Sequence, residues 1–243
     1  MHVQHLTMSQ TALIIALLRE TKQTPLCTAK TLALTSKTCQ SAIEESLRRL
    51  QETCPMTIVD DCIHLTPEQR LRVAEIALTN GADPEQVARE LSWQEFERFI
   101  RRVLDLEGYA ATTHFIFKHS GRRFEIDVLG SKEPVVICVD CKHWHHGSAA
   151  SKIKLAAKNQ LQRAESLSHV FMSYGKKHGI ARWRSTRLLP IVLTLADLSP
   201  TIIEGVPVVS ALRLRDFLCQ YSPWNEELRF VDVPLSLQAL LTS

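Results

Sequence analysis

Between Arg122 and Trp144 the chain reads RRFEIDVLG, then SKEP, then VVICVDCKHW. Two apolar, β-branched runs so close together fold as an antiparallel hairpin inside a sheet. The stretch constrains the fold further because each run carries charge where burial is expected. Asp127 sits inside FEIDVLG, and Asp140 sits inside VVICVDCKHW, two residues before Lys142. Side chains alternate faces along a strand, so Cys138, Asp140 and Lys142 share one face, and Val139 and Cys141 the other. Asp127 shares its face with Glu125 and Leu129. Pairing through the 130–134 turn brings Asp127 towards Asp140. Two buried carboxylates at such range cannot both ionise cheaply. A divalent cation such as Mg²⁺, a hard ion that takes oxygen ligands, removes the difficulty. The adjacent lysine can orient a water or stabilise charge on a phosphate.

The chain has 243 residues, room for one large domain or two small ones, and 45% of them are hydrophobic, enough for a sizeable core. Before the hairpin, residues 9–21, 26–35 and 36–53 read as three helices. MTIVDDCIHLT (56–66) reads as strand, Asp-Asp turn, strand. Helix, helix, helix, hairpin is the order of a winged helix, which gives a winged-helix-like domain over 1–66. TPEQRLRVAEIALTNG (66–81) has Thr66 to cap, Pro67 at the first helical position and Gly81 to end it. It and a helix over 83–92 form a connector, 67–92. From 93 to 243 the order is a helix from 93 that Gly108 closes, an extended stretch from Tyr109, three strands (113–120, 122–130, 135–144), a basic helix (150–167), strands at 188–196 and 206–211, and a helix at 212–221. That is an α/β class: a mixed β-sheet flanked by helices.

The 7 cysteines are odd in number and scattered through apolar runs, which fits reduced thiols in a cytoplasmic protein. No run approaches the ~20 apolar residues of a membrane span, and the first residues lack a signal peptide's order. CVDC (138–141) invites a zinc reading, but alternation puts its cysteines on opposite faces and no second pair follows. HWHH (143–146) reads as a loop beside the site, from which His143 can touch a phosphate.

At these residues the chain resembles the PD-(D/E)XK, or restriction-endonuclease-like, nucleases. In that pattern an Asp precedes a strand carrying Asp or Glu, any residue, then Lys. The matching positions are Asp127, Asp140 and Lys142, with Ile126 where the motif has proline. WQEFERFIRRVLDLEGY (93–109) is similar to the first helix of Mrr-type restriction endonucleases and archaeal Holliday-junction resolvases. Its Glu97 matches the family's helix carboxylate, with Glu95 as rival. Gln160 matches a glutamine often found on the helix after the lysine strand, with Gln162 as rival. The resemblance covers roughly 93–221. It implies a Mg²⁺-dependent endodeoxyribonuclease, with Mn²⁺ able to substitute. Glu97, Asp127, Asp140 and the backbone carbonyl of Cys141 would hold the metal, Lys142 would position or activate water, and Gln160 would help place them.

Charge distribution adds an independent sign. Between Cys141 and Arg187 ten basic residues face one acid, a local +9 on a chain of net +3, which leaves the remainder at −6. Such segregation suits a polyanion, DNA, with Lys152, Lys154, Lys158, Arg163, Arg182 and Arg184 contacting phosphates. Lys142, Lys176, Lys177 and Arg187 complete the ten. Cutting both strands with one site per chain would favour a homodimer. Two other functions fit the same elements: a winged-helix regulator with an inactive nuclease-like domain, and a structure-specific junction resolvase.

Overall fold

The computed structural model describes residues 8–142, 150–175, 183, 185–194, 201–223 and 225–234. The chain divides into two compact units, residues 1–96 and 97–243, and the division falls within one helix, Trp93–Leu106.

The first unit contains helix α1 (Met8–Glu20), strand β1 (Leu26–Thr28), helices α2 (Ala29–Ser36) and α3 (Gln40–Thr53), strands β2 (Thr57–Val59) and β3 (Cys62–His64), and helices α4 (Pro67–Thr79) and α5 (Pro84–Glu90). Its three strands form an antiparallel sheet in the order β1-β3-β2. The β2–β3 turn is the Asp60-Asp61 pair expected from the sequence. Both residues take positive φ, 47° and 61°, as a type I′ turn requires. One helix expectation is corrected. Residues 26–28 are not the first turn of a helix but a strand, paired with Cys62–His64. Thr28 explains the switch: it holds an extended backbone, and its hydroxyl accepts from the Thr31 N–H, so the helix starts only at Ala29. Thr66 forms the expected cap as a full capping box with Gln69, with Pro67 in the first turn.

Helices α4 and α5 pack on α1, and they belong to this unit through one buried arginine. Arg70 Nε donates to Glu95 Oε1 at 2.6 Å, Nη1 donates to Leu18 O at 2.6 Å and to the Thr21 hydroxyl, and Nη2 donates to Glu90 O at 2.7 Å. A buried guanidinium is tolerable only when its donors are met, and here α1, α5 and the segment before Phe96 meet them. Glu95 also accepts from the Ser92 N–H at 2.8 Å. Burial pushes the Glu95 carboxyl up, but Arg70 and Ser92 outweigh it and hold it below the usual glutamate range.

The second unit is built on a seven-stranded sheet. Helix α6 (Trp93–Leu106) is followed by β4 (Ala110–His119), β5 (Arg122–Lys132), β6 (Val135–Lys142), α7 (Ala150–Ser168), α8 (Phe171–Gly175), β7 (Arg187–Thr194), β8 (Thr201–Ile203), β9 (Val206–Ser210), a 3₁₀ turn at Ala211–Arg213, α9 (Leu214–Gln220) and β10 (Val231–Asp232). Strand order is β4-β5-β6-β7-β9-β8, with β10 beside β7. β4–β5 and β5–β6 pair antiparallel, and β6–β7 and β7–β9 parallel. The expected mixed sheet with flanking helices is therefore what the chain forms. β8, α8 and β10 are additions the sequence reading lacked, and residues 195–196 of the expected seventh-strand run lie outside the described residues.

β6 is buried along Val135–Cys141, as a strand between two neighbours and two helical layers must be. Gly130 on β5 approaches α6 closely: a Cβ there would stand 3.0 Å from Leu104 Cδ1. Leu129, the next residue and so on the other face, clusters with Ala164 and Leu167 of α7. Helices α6 and α7 thus cover opposite faces of the central strands. Among the described residues no helix is long and apolar enough to cross a membrane.

Arg70→Ala should destabilise the protein by about 3–5 kcal/mol, because it strands the Glu95 carboxylate in the interior. Since the Glu95 pKa is depressed, its share of stability is present above the ordinary glutamate range and is lost as pH falls through the depressed value. Denaturation across an acid pH series, with Glu95→Gln flattening that dependence, checks both.

Candidate active site

The antiparallel ladder between β5 and β6 runs from Lys132↔Val135 to Val128↔Val139 and stops there. The next residues in register are Asp127 and Asp140. Where the ladder stops, Asp127 Oδ2 takes over and accepts from the Cys141 N–H at 2.8 Å. The charged pair thus occupies the place where the two strands part.

Asp140 is only 2% exposed. Lys142 Nζ stands 2.9 Å from its Oδ1 and 2.8 Å from its Oδ2, and Arg163 Nη1 donates to Oδ1 at 2.6 Å. Burial pushes the Asp127 carboxyl up, and the charge of Asp140 adds to that. The Cys141 N–H and the charges of Lys142 and Arg163 pull the other way without cancelling the rise.

Glu97, 1% exposed, has its Oε2 at 3.1 Å from His114 Nε2. The two glutamates have different partners: Glu95 is bound to Arg70 in the first unit, and Glu97 meets His114 in the second. The i+4 ion pair open to Glu97 with Arg101 does not form in the described structure; Arg101 turns to Asp105 at 3.5 Å. The Cys141 thiol is pushed well above its usual range by burial, then by the charges of Asp127, Glu97 and Asp140. All three carboxylates therefore act on residue 141, whose backbone carbonyl the sequence reading added to the set.

Gln160 is fully buried. Its Nε2 donates to Cys138 O at 2.7 Å, and its Oε1 accepts from Arg163 Nη1 at 3.1 Å. Gln162 is exposed, so Gln160 is the glutamine that reaches the strand. Lys152, Lys154 and Lys158 lie exposed on α7, with Lys154 at 3.3 Å from Glu204. Arg163, expected on that phosphate-facing surface, points to Asp140 instead. Arg187 pairs with Asp232 at 3.0 Å. Arg182, Arg184, Lys176, Lys177 and the HWHH tract with His143 lie outside the described residues.

Two members of the cluster escaped the sequence reading. The stripe Ala156, Ala157, Gln160, Ala164, Leu167 is buried at helical spacing, and a glutamine in its middle was the signal that this face, with Arg163 one turn on, meets charge. His114 gave less warning. It takes a left-handed φ of 54° opposite Asp127, the one interruption in the β4–β5 register. Histidine is among the few residue types enriched at such φ. Its Nδ1 stands 3.0 Å from Glu125 Oε1. That hydrogen bond holds the imidazolium above the usual histidine range against the opposing effect of burial, with Glu97 and Asp127 adding to the rise.

Among the described residues no group of three or more His, Cys, Asp or Glu side chains is poised to hold a metal ion. The reason is visible in the partners: Asp140 is turned to two cations, Asp127 to an N–H, and Glu97 to His114.

Residues 88–180 match the family model Mrr_cat, described as restriction endonuclease. The chain is 28% identical over 142 residues, 58% of its own length and all of the relative's, to an uncharacterized protein of Archaeoglobus fulgidus. Two crystal structures align with it. One, of a protein of unknown function, AF1548, is 18% identical with a TM-score of 0.27 over 42% of this chain and 45% of that one. The other, of protein VC1899 from Vibrio cholerae, is 11% identical with a TM-score of 0.39 over 90% and 51%. The chain spans about half the length of either.

Gln160→Ala should cost about 1–3 kcal/mol in denaturant unfolding, the penalty for buried polar groups left without partners. Gln162→Ala should stay within about 0.5 kcal/mol of wild type.

Proposed function

From the premise that residues 88–180 form a restriction-endonuclease domain, we propose that the chain is a Mg²⁺-dependent endonuclease that hydrolyses DNA phosphodiester bonds. The observation that carries the proposal is the placement of Asp127 and Asp140 where β5 and β6 part, with Lys142 in contact with Asp140. Buried carboxylates in that number are costly without compensating positive charge, and the lysine and arginine present act chiefly on Asp140.

The donor set fits a hard divalent cation. Glu97, Asp127, Asp140 and the Cys141 carbonyl supply only oxygen, the ligand type that Mg²⁺ takes, with Mn²⁺ as a substitute. Burial is the main cause of the raised Asp127 pKa, and the charge of Asp140 adds to it. When bound, the metal would supply Lewis-acid stabilisation of phosphate charge.

The rest of the work falls to the chain. Lys142, half-buried beside Asp140, orients the attacking water and stabilises charge on the phosphate. Arg163 shares Asp140 with Lys142, so when Asp140 turns to other ligands the guanidinium is released as a donor to the phosphate. Gln160 holds α7 to β6 at Cys138 and supports Arg163, which makes it a positioning residue.

In the first unit, residues 8–66 run helix, strand, helix, helix, hairpin with an antiparallel β1-β3-β2 sheet, which supports a winged-helix module that contacts DNA or a protein. A homodimer would supply the second site needed to cut both strands.

Purified protein should nick supercoiled plasmid in Mg²⁺ or Mn²⁺ and lose that activity in EDTA. Asp140→Ala and Lys142→Ala should each lower the rate by at least about a hundredfold, the lower range for loss of a group that acts on the attacking water. Undiminished cleavage by the double variant would sink the proposal. Duplex binding with no cleavage in either metal would favour the winged-helix regulator.

A further inference from the structure

β4 and β5 keep one register from Ala110↔Ser131 to His119↔Arg122, whereas β5 pairs with β6 only over 128–132. Residues 115–126 are therefore a two-stranded ribbon that continues past Asp127 after β6 has parted from β5, while β6 itself stays paired with β7 to Lys142. The ribbon is not a loose arm. Phe115, Phe117 and Ile126 are buried in a cluster with Leu167 and Phe171, and the Lys118 N–H donates to the Tyr174 hydroxyl at 3.4 Å. Its turn is the tight pair Ser120 and Gly121, at φ 48° and 76°, so the tip stays narrow.

The tip is basic in a way that folding does not explain. Lys118, Arg122 and Arg123 are exposed, and none has an acidic partner among the described residues. Lys118 and Arg123 are direct cross-strand neighbours, and like charges placed opposite one another destabilise a hairpin. Arg122 lies over the Phe124 ring at 5.8 Å, which fixes where its charge is presented. Beside it, His119 stacks on His169 at 5.1 Å. Three cations without acidic partners on a two-stranded ribbon match the sign of a phosphate backbone, and such a ribbon fits the major groove of a duplex.

We infer that this tip is a second duplex-DNA contact of the nuclease domain, gripping phosphates away from the scissile one; the inference rests on the nuclease reading. Five residues separate Asp127 from Arg122, so the tip reaches about 17 Å from the carboxylates. At ~3.4 Å per nucleotide the gripped phosphates lie about five base pairs from the cut. The ribbon sets the register of the duplex over the site, and Lys118, Arg122 and Arg123 take no part in the chemistry.

The test is fluorescence anisotropy of a labelled duplex in EDTA across a salt series, with wild type and a Lys118→Ala, Arg122→Ala, Arg123→Ala variant. The variant should bind at least about tenfold more weakly, and its slope of log affinity against log salt should shrink by about 2–3. Its unfolding midpoint should stay unchanged, and a Lys118→Arg, Arg122→Lys, Arg123→Lys variant should keep the wild-type slope. An unchanged slope in the alanine variant overturns the inference. So does unchanged binding by a variant that self-associates, which would make these charges guards of an open strand edge. Plasmid nicking reads the other question separately. A wild type that nicks while the alanine variant binds normally sinks the ribbon contact alone. A wild type that neither nicks nor binds sinks both.

Discussion

A carboxylate on a fully covered strand is the constraint from which the site follows. Asp140 stands on β6, where every residue from Val135 to Cys141 is buried. A charge in that position has to be compensated within a few ångströms. Lys142 can reach it because it shares the strand face and sits where β6 regains solvent; its side chain is 28% exposed. Arg163 reaches it because α7 is locked to the same strand by the Gln160–Cys138 hydrogen bond. The helix, the strand and the two cations thus form one arrangement. Moving either cation removes one of the two partners of Asp140.

The same reasoning explains why the sheet comes apart where it does. Asp127 and Asp140 would be the next rung of the β5–β6 ladder, and two carboxylates on adjacent strands repel. Instead of completing the rung, Asp127 bonds the Cys141 N–H with its side chain. On its other side the partner residue is His114, whose left-handed backbone breaks the β4–β5 pairing at that one position. A strained residue of this kind persists only when its surroundings hold it, and the Glu125 and Glu97 carboxylates do so. Local departure from regular pairing is what lets Asp127 turn its side chain to the backbone of β6.

The sheet itself was legible in the sequence because the physical signals were local. The two apolar runs around SKEP pointed to the β5–β6 hairpin, the Asp60-Asp61 pair to the β2–β3 turn, and Thr66-Pro67 to a helix start that the capping box reproduces. Asp127, Asp140 and Lys142 were legible because charge inside an apolar run is conspicuous. Residues 26–28 misled because Leu-Cys-Thr carries no strand pattern of its own; pairing with Cys62–His64, more than thirty residues away, decides it. Arg163 was assigned to phosphate on charge alone. Its direction depends on Gln160 being buried, and the helical stripe contained that fact without its being read. His114 lay beyond sequence reading, since nothing in Thr-Thr-His-Phe announces a left-handed residue.

Glu95 and Glu97 show how little separates a structural carboxylate from a candidate ligand. They are two residues apart on one helix, about 200° around its axis, so they face different surroundings. Glu95 finds a guanidinium with every donor engaged, and its pKa falls. That carboxylate is already paired and has no call on a cation. Glu97 finds an imidazole, a partner whose own charge depends on the acids beside it. The acids beside His114 raise its pKa, so Glu97 gains a cationic partner from the same charges that crowd it.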